Sequence, residues 1–398
     1  MDHDTKKSVE EVAAEVTALR RELHQHPEIR FEENWTSDRI SRFLFEAGIP
    51  HSRGHANGTG IVAKLEGRGP QFVKRRQTVK TIVLRADMDA LEMQERSGVA
   101  YASTIPNRMH ACGHDGHMAI LCGTAKVLSQ HLDTLEGTLK FIFQPAEELG
   151  AGGRCIVAEG LLNDVDAAFA LHTWHSIPLG KIGIKSGPMM ASADWFSIDI
   201  EGRGCHGADP GAGIDPVVVA AHVIIALQMI VAREINPWDA AVVTVGRIQA
   251  GVTSNIIPET ARLEGTFRAL SEDVRDSIAA AIRRIAENTA SAFRATACVT
   301  FGYDHYAPLI NDPAMADRVR QTVADTLGPE ALVELDHPSM GAEDFAFYLQ
   351  KVPGAIFYLG NYAPAAPHPI HSPYYIFNDD AIPIGMRVFC DLVHRSLE

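Results

Sequence analysis

Residues 137–148 read GTLKFIFQPAEE, and the parsing of this stretch decides the fold. TLKFIF is an apolar run of strand length, bounded by Gly137 and Pro145, which is the pattern of a buried strand. Two adjacent carboxylates, Glu147 and Glu148, follow at its carboxyl end. Like charges side by side at the mouth of a buried strand repel one another, so positive charge is expected close by.

Upstream the same alternation recurs. GIVAKLEG (60–67) and TIVLRADMDAL (81–91) are strand-like, and GHMAILCGTAKVLSQHL (116–132) has helical periodicity. Strands alternating with helices predict an α/β fold built on a mostly parallel sheet covered by helices. In such sheets functional groups gather beyond the carboxyl ends of the strands. Asp87, Asp89, Glu147 and Glu148 all follow strand-like runs directly.

From about Gly183 the order changes. DWFSIDIEG, DPVVVAAHVIIALQMIVAR, AAVVTVGRIQAG, ETARLEGTFRAL, SEDVRDSIAAAIRRIAENTASAF and TACVTFGY read strand, helix, strand, strand, helix, strand. That βαββαβ order is the ferredoxin-like unit. We therefore expect a catalytic domain of 1–182 and 298–398, with a satellite domain at 183–297 inserted into it as a dimerisation or lid element.

The 398 residues are 46% hydrophobic and 22% charged, with 36 basic against 50 acidic side chains and a net charge of −14. This is an ordinary globular composition with room for a large core. The acidic balance argues against nucleic-acid or anionic-membrane partners, which need a basic surface, and favours a small-molecule substrate. No window reads as a membrane span, and the charged start MDHDTKKSVEEVAAEV lacks a signal peptide's apolar core, so a cytoplasmic location is expected. The six scattered cysteines read as thiols or ligands rather than disulfides.

The positive charge can be a metal. MHACGHDGHM packs His110, Cys112, His114, Asp115 and His117 into eight positions; LHTWH offers His172 after the strand-like DAAFAL; HPIHSPYY offers His371. Thiolate, imidazole and carboxylate are the groups that bind first-row divalent ions. Taken singly each has a plainer reading: a buried thiol beside a hydrogen-bonded histidine, a solvated acidic loop, a surface histidine. Four separate segments offering ligands together favour the metal. One glutamate would then ligate while its neighbour, pointing the other way along an extended chain, stays free as a base.

These motifs resemble the aminoacylase, hippurate hydrolase and auxin-conjugate amidohydrolase family of zinc-type exopeptidases. The resemblance runs from RRELHQHPEIRFEE through LRADMDAL, HACGHDGH, FQPAEE, LHTWH, GCHGADP and GVTSNIIPETARLEGTFR to MGAEDFAFYL and HSPYYIFND. It implies a dinuclear site of two divalent ions (Mn, Zn, Co or Ni) on Cys112, His114, Glu148, His172 and His371, with Cys112 as the bridge and Glu147 as the catalytic base. It also implies that His206 acts in the partner subunit's site of a homodimer, with a tetramer as the alternative, and that Asn255, Arg268 and Gly341 hold the substrate. Asp87 and Asp89 read as groups orienting ligand imidazoles, or as plain turn formers after a strand. One departure is His175, where relatives often carry Pro.

The expected activity is cleavage of an N-acyl amino acid (acetyl, benzoyl or arylacyl) by a metal-activated water. A dipeptidase or aminoacyl carboxypeptidase using the same water is the alternative within the fold. A catalytically silent binding protein is the alternative of another class, and the intact Glu147 and ligand set speak against it.

Overall fold

The structure, a computed structural model, describes residues 3–70, 80–364 and 367–397. The chain divides into two compact units: Met1–Met189 with Ile310–His337 and Asp344–Glu398, and Met190–Leu309 with Pro338–Glu343.

The first unit is built on an eight-stranded sheet in the order His51–His55, Gly60–Glu66, Thr138–Gln144, Thr81–Asp87, Ala167–Pro178, Gly354–Tyr362, Ile182–Ile184, Leu332–Glu334. The central strands run parallel, Thr81–Asp87 lying between Thr138–Gln144 and Ala167–Pro178. Gly354–Tyr362 extends the parallel run. The edges break it: Gly60–Glu66 is antiparallel to Thr138–Gln144, and Ile182–Ile184 is antiparallel to Gly354–Tyr362. The buried strands are near-continuous apolar runs, as strands covered on both faces require. Thr81–Asp87 is buried at every position. Helix His114–Ser129 packs against His3–Gln25 and Ala381–Leu397, and its residues from His114 to Ala125 are all buried.

In the second unit Ala241–Ala250, Thr260–Ala269, Asp194–Glu201 and Thr296–Phe301 form a four-stranded antiparallel sheet in that order. Helices Pro216–Met229 and Glu272–Ala292 supply its core through Val219, Val223, Leu227, Ile278 and Ile282. Two sequence boundaries move. The one at residue 297 would cut the edge strand Thr296–Phe301, whose pairing with Asp194–Glu201 keeps it in this sheet. The one at residue 183 falls inside Ile182–Ile184, which belongs to the large sheet.

The reading that no window approaches a membrane span also needs correcting. Among the described residues one stretch, Pro216–Glu234, is long and apolar enough by composition, and a third of it is buried. Its inward stripe of Val219, Ala220, Val223 and Leu227 packs in the core, whereas Val217, Val218, Ile225 and Met229 face outward and exposed. The helix is apolar on both faces, and the fold covers one of them.

Candidate metal centre

The turn that opens helix His114–Ser129 carries two of the expected ligands. Gly113, between Cys112 and His114, has φ +87°, and a Cβ there would lie 2.5 Å from Thr173 Oγ1 and 2.8 Å from Tyr375 OH. Only glycine meets both demands. The turn buries Cys112 and His114 among groups arriving from three other segments.

His114 donates from Nδ1 to the Asp89 backbone carbonyl at 2.8 Å, so the ring's lone pair, when the ring is neutral, is on Nε2. That buried Nε2 has no hydrogen-bond partner among the described residues and lies 3.9 Å from Glu148 Oε1. His172 repeats the arrangement, donating from Nδ1 to the Thr173 carbonyl at 2.8 Å with Nε2 3.4 Å from Cys112 Sγ. His371 Nε2 approaches Glu148 Oε1 at 3.1 Å; its backbone sits at φ +61° and is held by a bond from its amide to the Ala111 carbonyl at 2.8 Å. Ligand atoms of Cys112, Glu148 and His371 converge within 4.8 Å of one another, as do those of His114, Glu147 and Glu148. Imidazoles whose other nitrogen is tied to a carbonyl are the usual form of metal-binding histidine.

The electrostatics of this cluster call for a cation. Burial pushes the Cys112 thiol well above its ordinary range, and Glu148, Glu147 and Asp87 push it further. Burial alone would lower His114, yet Asp87, Asp89 and Glu148 raise it to about 10. Burial likewise lowers His172 well below its ordinary value, with His117 adding to it, so that ring is neutral. Two neutral-capable imidazoles, a thiol and a carboxylate around an unpartnered buried nitrogen form the donor set of a borderline divalent ion. The residues present fit the metal.

Glu147 differs from Glu148 in its surroundings, although its carboxylate also comes within 4.8 Å of ligand atoms of His114 and Glu148. Its side chain is 6% exposed, and Oε1 accepts from the Asp344 amide at 3.4 Å. The extended chain expected at 147–148 is absent: Ala146 has φ +56° and residues 147–150 bend. The division between the two glutamates rests on this turn. Asp89 fixes it, Oδ1 accepting the Glu147 amide and Oδ2 the Glu148 amide, each at 3.0 Å. Asp87 accepts from His117 Nδ1 at 2.7 Å and from Arg85 Nη1 at 2.7 Å. Burial would raise Asp87, but His114, His117 and Arg85 outweigh it and hold the acid well below its usual range.

His117 lies in reach of the same cluster, but its Nε2 accepts the Thr173 amide at 2.9 Å. Both its nitrogens are engaged. Arg85, fully buried, also donates to Asp344 Oδ1 at 2.8 Å and to Gln144 Oε1 at 3.1 Å. Arg85, Gln144 and Asp344 are site-building residues that sequence reasoning missed, because no spacing links positions 85, 144 and 344. Asp115 turns away from the cluster and binds His24 Nδ1 at 2.8 Å. His110 is buried and neutral, burial pushing it down to about 4. His175 lies within the strand Ala167–Pro178, its ring 5.7 Å from Trp174, so the departure from Pro there leaves the strand unbroken.

His206, Asn255, Arg268 and Gly341 belong to the second unit and are not members of this cluster. His206 is exposed and pairs with Ile256. Its Nδ1 accepts the Ala208 amide at 3.1 Å, so the neutral ring carries its proton on Nε2. Asn255 is exposed and accepts the Gly207 amide on its carbonyl at 2.8 Å. Arg268 is half-buried; burial lowers its guanidinium, and its Nη1 is buried without a hydrogen-bond partner among the described residues. Gly341 accepts the Ala191 amide on its carbonyl at 2.9 Å. All six cysteines are free.

Comparison with known proteins finds relatives over nearly the whole chain. The chain is 37% identical over 382 residues to N-acetylcysteine deacetylase of Bacillus subtilis strain 168, covering 96% of each. It is also 37% identical over 387 residues to IAA-amino acid hydrolase ILR1-like 4 of Arabidopsis thaliana, covering 96% of this chain and 86% of that one. Among solved structures it superposes with a TM-score of 0.84 and 34% identity on a Bacillus subtilis protein described as a dinuclear metal binding peptidase, over 98% and 99% of the two chains. Residues 83–395 match the model of peptidase family M20/M25/M40, and the chain belongs to that family.

Proposed function

We propose that the protein is a hydrolase of amide bonds that cleaves N-acyl amino acids to a carboxylate and a free amino acid with two divalent metal ions. The observation that carries the reading is the split of Glu147 from Glu148: one amide apart, they are held by the same Asp89 carboxylate, yet only Glu148 lies against His371. Cys112, His114, Glu148, His172 and His371 would hold the ions. When bound, the ions polarise the scissile carbonyl and make water acidic near neutrality.

The chain's own part is proton handling. Glu147 takes a proton from water as the water oxygen bonds to the carbonyl carbon. It returns that proton to the amide nitrogen as the C–N bond breaks, so one carboxylate serves as base and then as acid. His206, with its proton on Nε2, suits an oxyanion as a neutral donor. Arg268, with an unused donor, suits the substrate's carboxylate.

The second unit supports a homodimer. Val217, Val218, Ile225 and Met229 are exposed on the outer side of helix Pro216–Met229. An apolar surface of this kind marks an interface. A second copy of the chain is the occupant that would carry His206 to a neighbouring site.

A screen of metal-reconstituted protein tests the activity, using N-acetyl, N-benzoyl and indole-acetyl amino acids beside dipeptides. Turnover of dipeptides alone would replace the reading with a peptidase. No turnover of any amide would sink it.

A further inference from the structure

We propose that Glu33 is a positioning residue for hydrolysis, a buried side chain that holds the turn on which Glu147 and Glu148 are presented. It lies in HPEIRFEE, a motif to which the metal centre assigns no role, and the inference rests on Glu147 being the base.

Glu33 occupies the position before helix Asn34–Glu46, where an acidic side chain ordinarily caps free amides. It makes no such cap. Glu28 takes that task instead, accepting the Trp35 amide on Oε1 at 3.1 Å and the Thr36 amide on Oε2 at 2.8 Å. Thus released, the Glu33 side chain turns inward and is 0% exposed. Glutamate is almost never fully buried without partners, and the partners here are specific. Oε1 accepts the Ala146 amide at 3.0 Å, 113 positions along the chain, and Oε2 accepts from Thr59 Oγ1 at 2.8 Å.

Ala146 is the residue that needs holding. Its φ of +56° places a side chain in the left-handed region, a conformation that persists only when its surroundings over-determine it. With Asp89 taking the next two amides, three consecutive backbone N–H groups, at 146, 147 and 148, end on two buried carboxyls. The second brace meets the first, because the Glu28 carbonyl accepts the Ala90 amide at 2.8 Å beside Asp89. Burial, and then the charge of Asp89, raise Glu33 to about 8.

The test uses metal-loaded Glu33→Ala and Glu33→Gln, with kcat, KM, metal content and hydrogen exchange of the peptide covering 143–150. A misplacement of the base of about 1 Å can cost about 100-fold, so Glu33→Ala is expected to lose about 10- to 100-fold in kcat with KM changed less than about threefold. Its metal content should stay that of the parent, and exchange at the 146–148 amides should rise. Glu33→Gln keeps a carbonyl acceptor and should rescue both kcat and protection. Should Glu33→Ala not fold, Glu33→Asp, one methylene too short to reach Ala146, is expected to show the same kcat loss.

Parental kcat in a folded Glu33→Ala or Glu33→Asp variant overturns the proposal, and so does unchanged exchange at 146–148. A Glu33→Gln variant as slow as the alanine also overturns it, since an acceptor would then not be what matters. If the parent hydrolyses no amide, the functional reading fails by itself, and the exchange comparison still decides whether Glu33 holds the turn.

Discussion

Asp89 grips Glu147 by its backbone: Oδ1 accepts the Glu147 amide at 3.0 Å, leaving the Glu147 carboxylate free of that contact. The other oxygen takes the Glu148 amide, and the Asp89 carbonyl takes His114 Nδ1. One residue thus positions the proposed base, one ligand candidate and the tautomer of another. Asp89→Asn replaces one acceptor by an NH2 that faces an amide N–H, so one of the two backbone bonds must break. Groups that orient ligands typically cost about 10- to 100-fold in affinity or activity when lost. The expected outcome is a drop of that size in both metal affinity and kcat. A variant with parental values of both refutes the role.

Glu147→Gln and Glu148→Gln separate the neighbouring carboxylates. Glu147→Gln should keep parental metal content and KM while losing about 10²–10⁴-fold in kcat, the usual range for general acid–base assistance. Glu148→Gln should lose metal, because a neutral amide replaces a charged oxygen ligand. Elemental analysis and turnover of one active N-acyl amino acid, on both variants, check this. Equal metal loss in the two would end the division of labour.

Cys112→Ser and His371→Ala test the other end of the centre. Each should lower metal content and activity together, since these two side chains converge with Glu148. The discriminating outcome is a metal-free variant that retains parental turnover, which would detach the chemistry from the cluster.

Much of this site was legible because ligand chemistry is local. Cys112 and His114 share one turn, Glu147 and Glu148 follow one strand, and His172 and His371 each sit in a short motif. The strands were legible for the same reason, since buried parallel strands are apolar runs whose ends show. What stayed hidden was held together across the chain. Nothing in the spacing connects Arg85 to Asp344 or Glu33 to Ala146, and the left-handed Ala146 has no signature of its own, unlike Gly113. The boundary at residue 297 failed because it cut a strand that the βαββαβ order itself assigns to the second unit, where pairing of Thr296–Phe301 with Asp194–Glu201 holds it.

The buried pair of His24 and Asp115 makes stability depend on pH. Burial alone would lower His24, but the charge and hydrogen bond of Asp115, with Glu95 adding a second, raise it from 6.5 to about 9. A histidine raised on folding stabilises fully below its unfolded value, and that contribution is lost as pH rises through the folded one. The urea midpoint of the parent should therefore exceed that of His24→Gln at pH 6, and the gap should close between about pH 6.5 and 9. A gap constant across that window would show that His24 acts there as a neutral ring.

The homodimer and the role of His206 can be tested in one mixing experiment. Glu147→Gln subunits lack the base and His206→Ala subunits lack the donor, so each homodimer should be nearly inactive. If His206 serves the partner's site, a mixed dimer regains one site with both groups intact, in the subunit that carries Glu147. Random exchange makes about half the dimers mixed, each with one of its two sites restored, so the mixture should recover about a quarter of parental activity. Ile225→Asp, which puts a charge on the exposed face of Pro216–Met229, should shift the protein to monomers in sedimentation and abolish the recovery. Exchange confirmed by mass-tagged subunits with no return of activity would place His206 outside the partner's site. Recovery that survives in monomeric Ile225→Asp would show that this face is not the interface through which it acts.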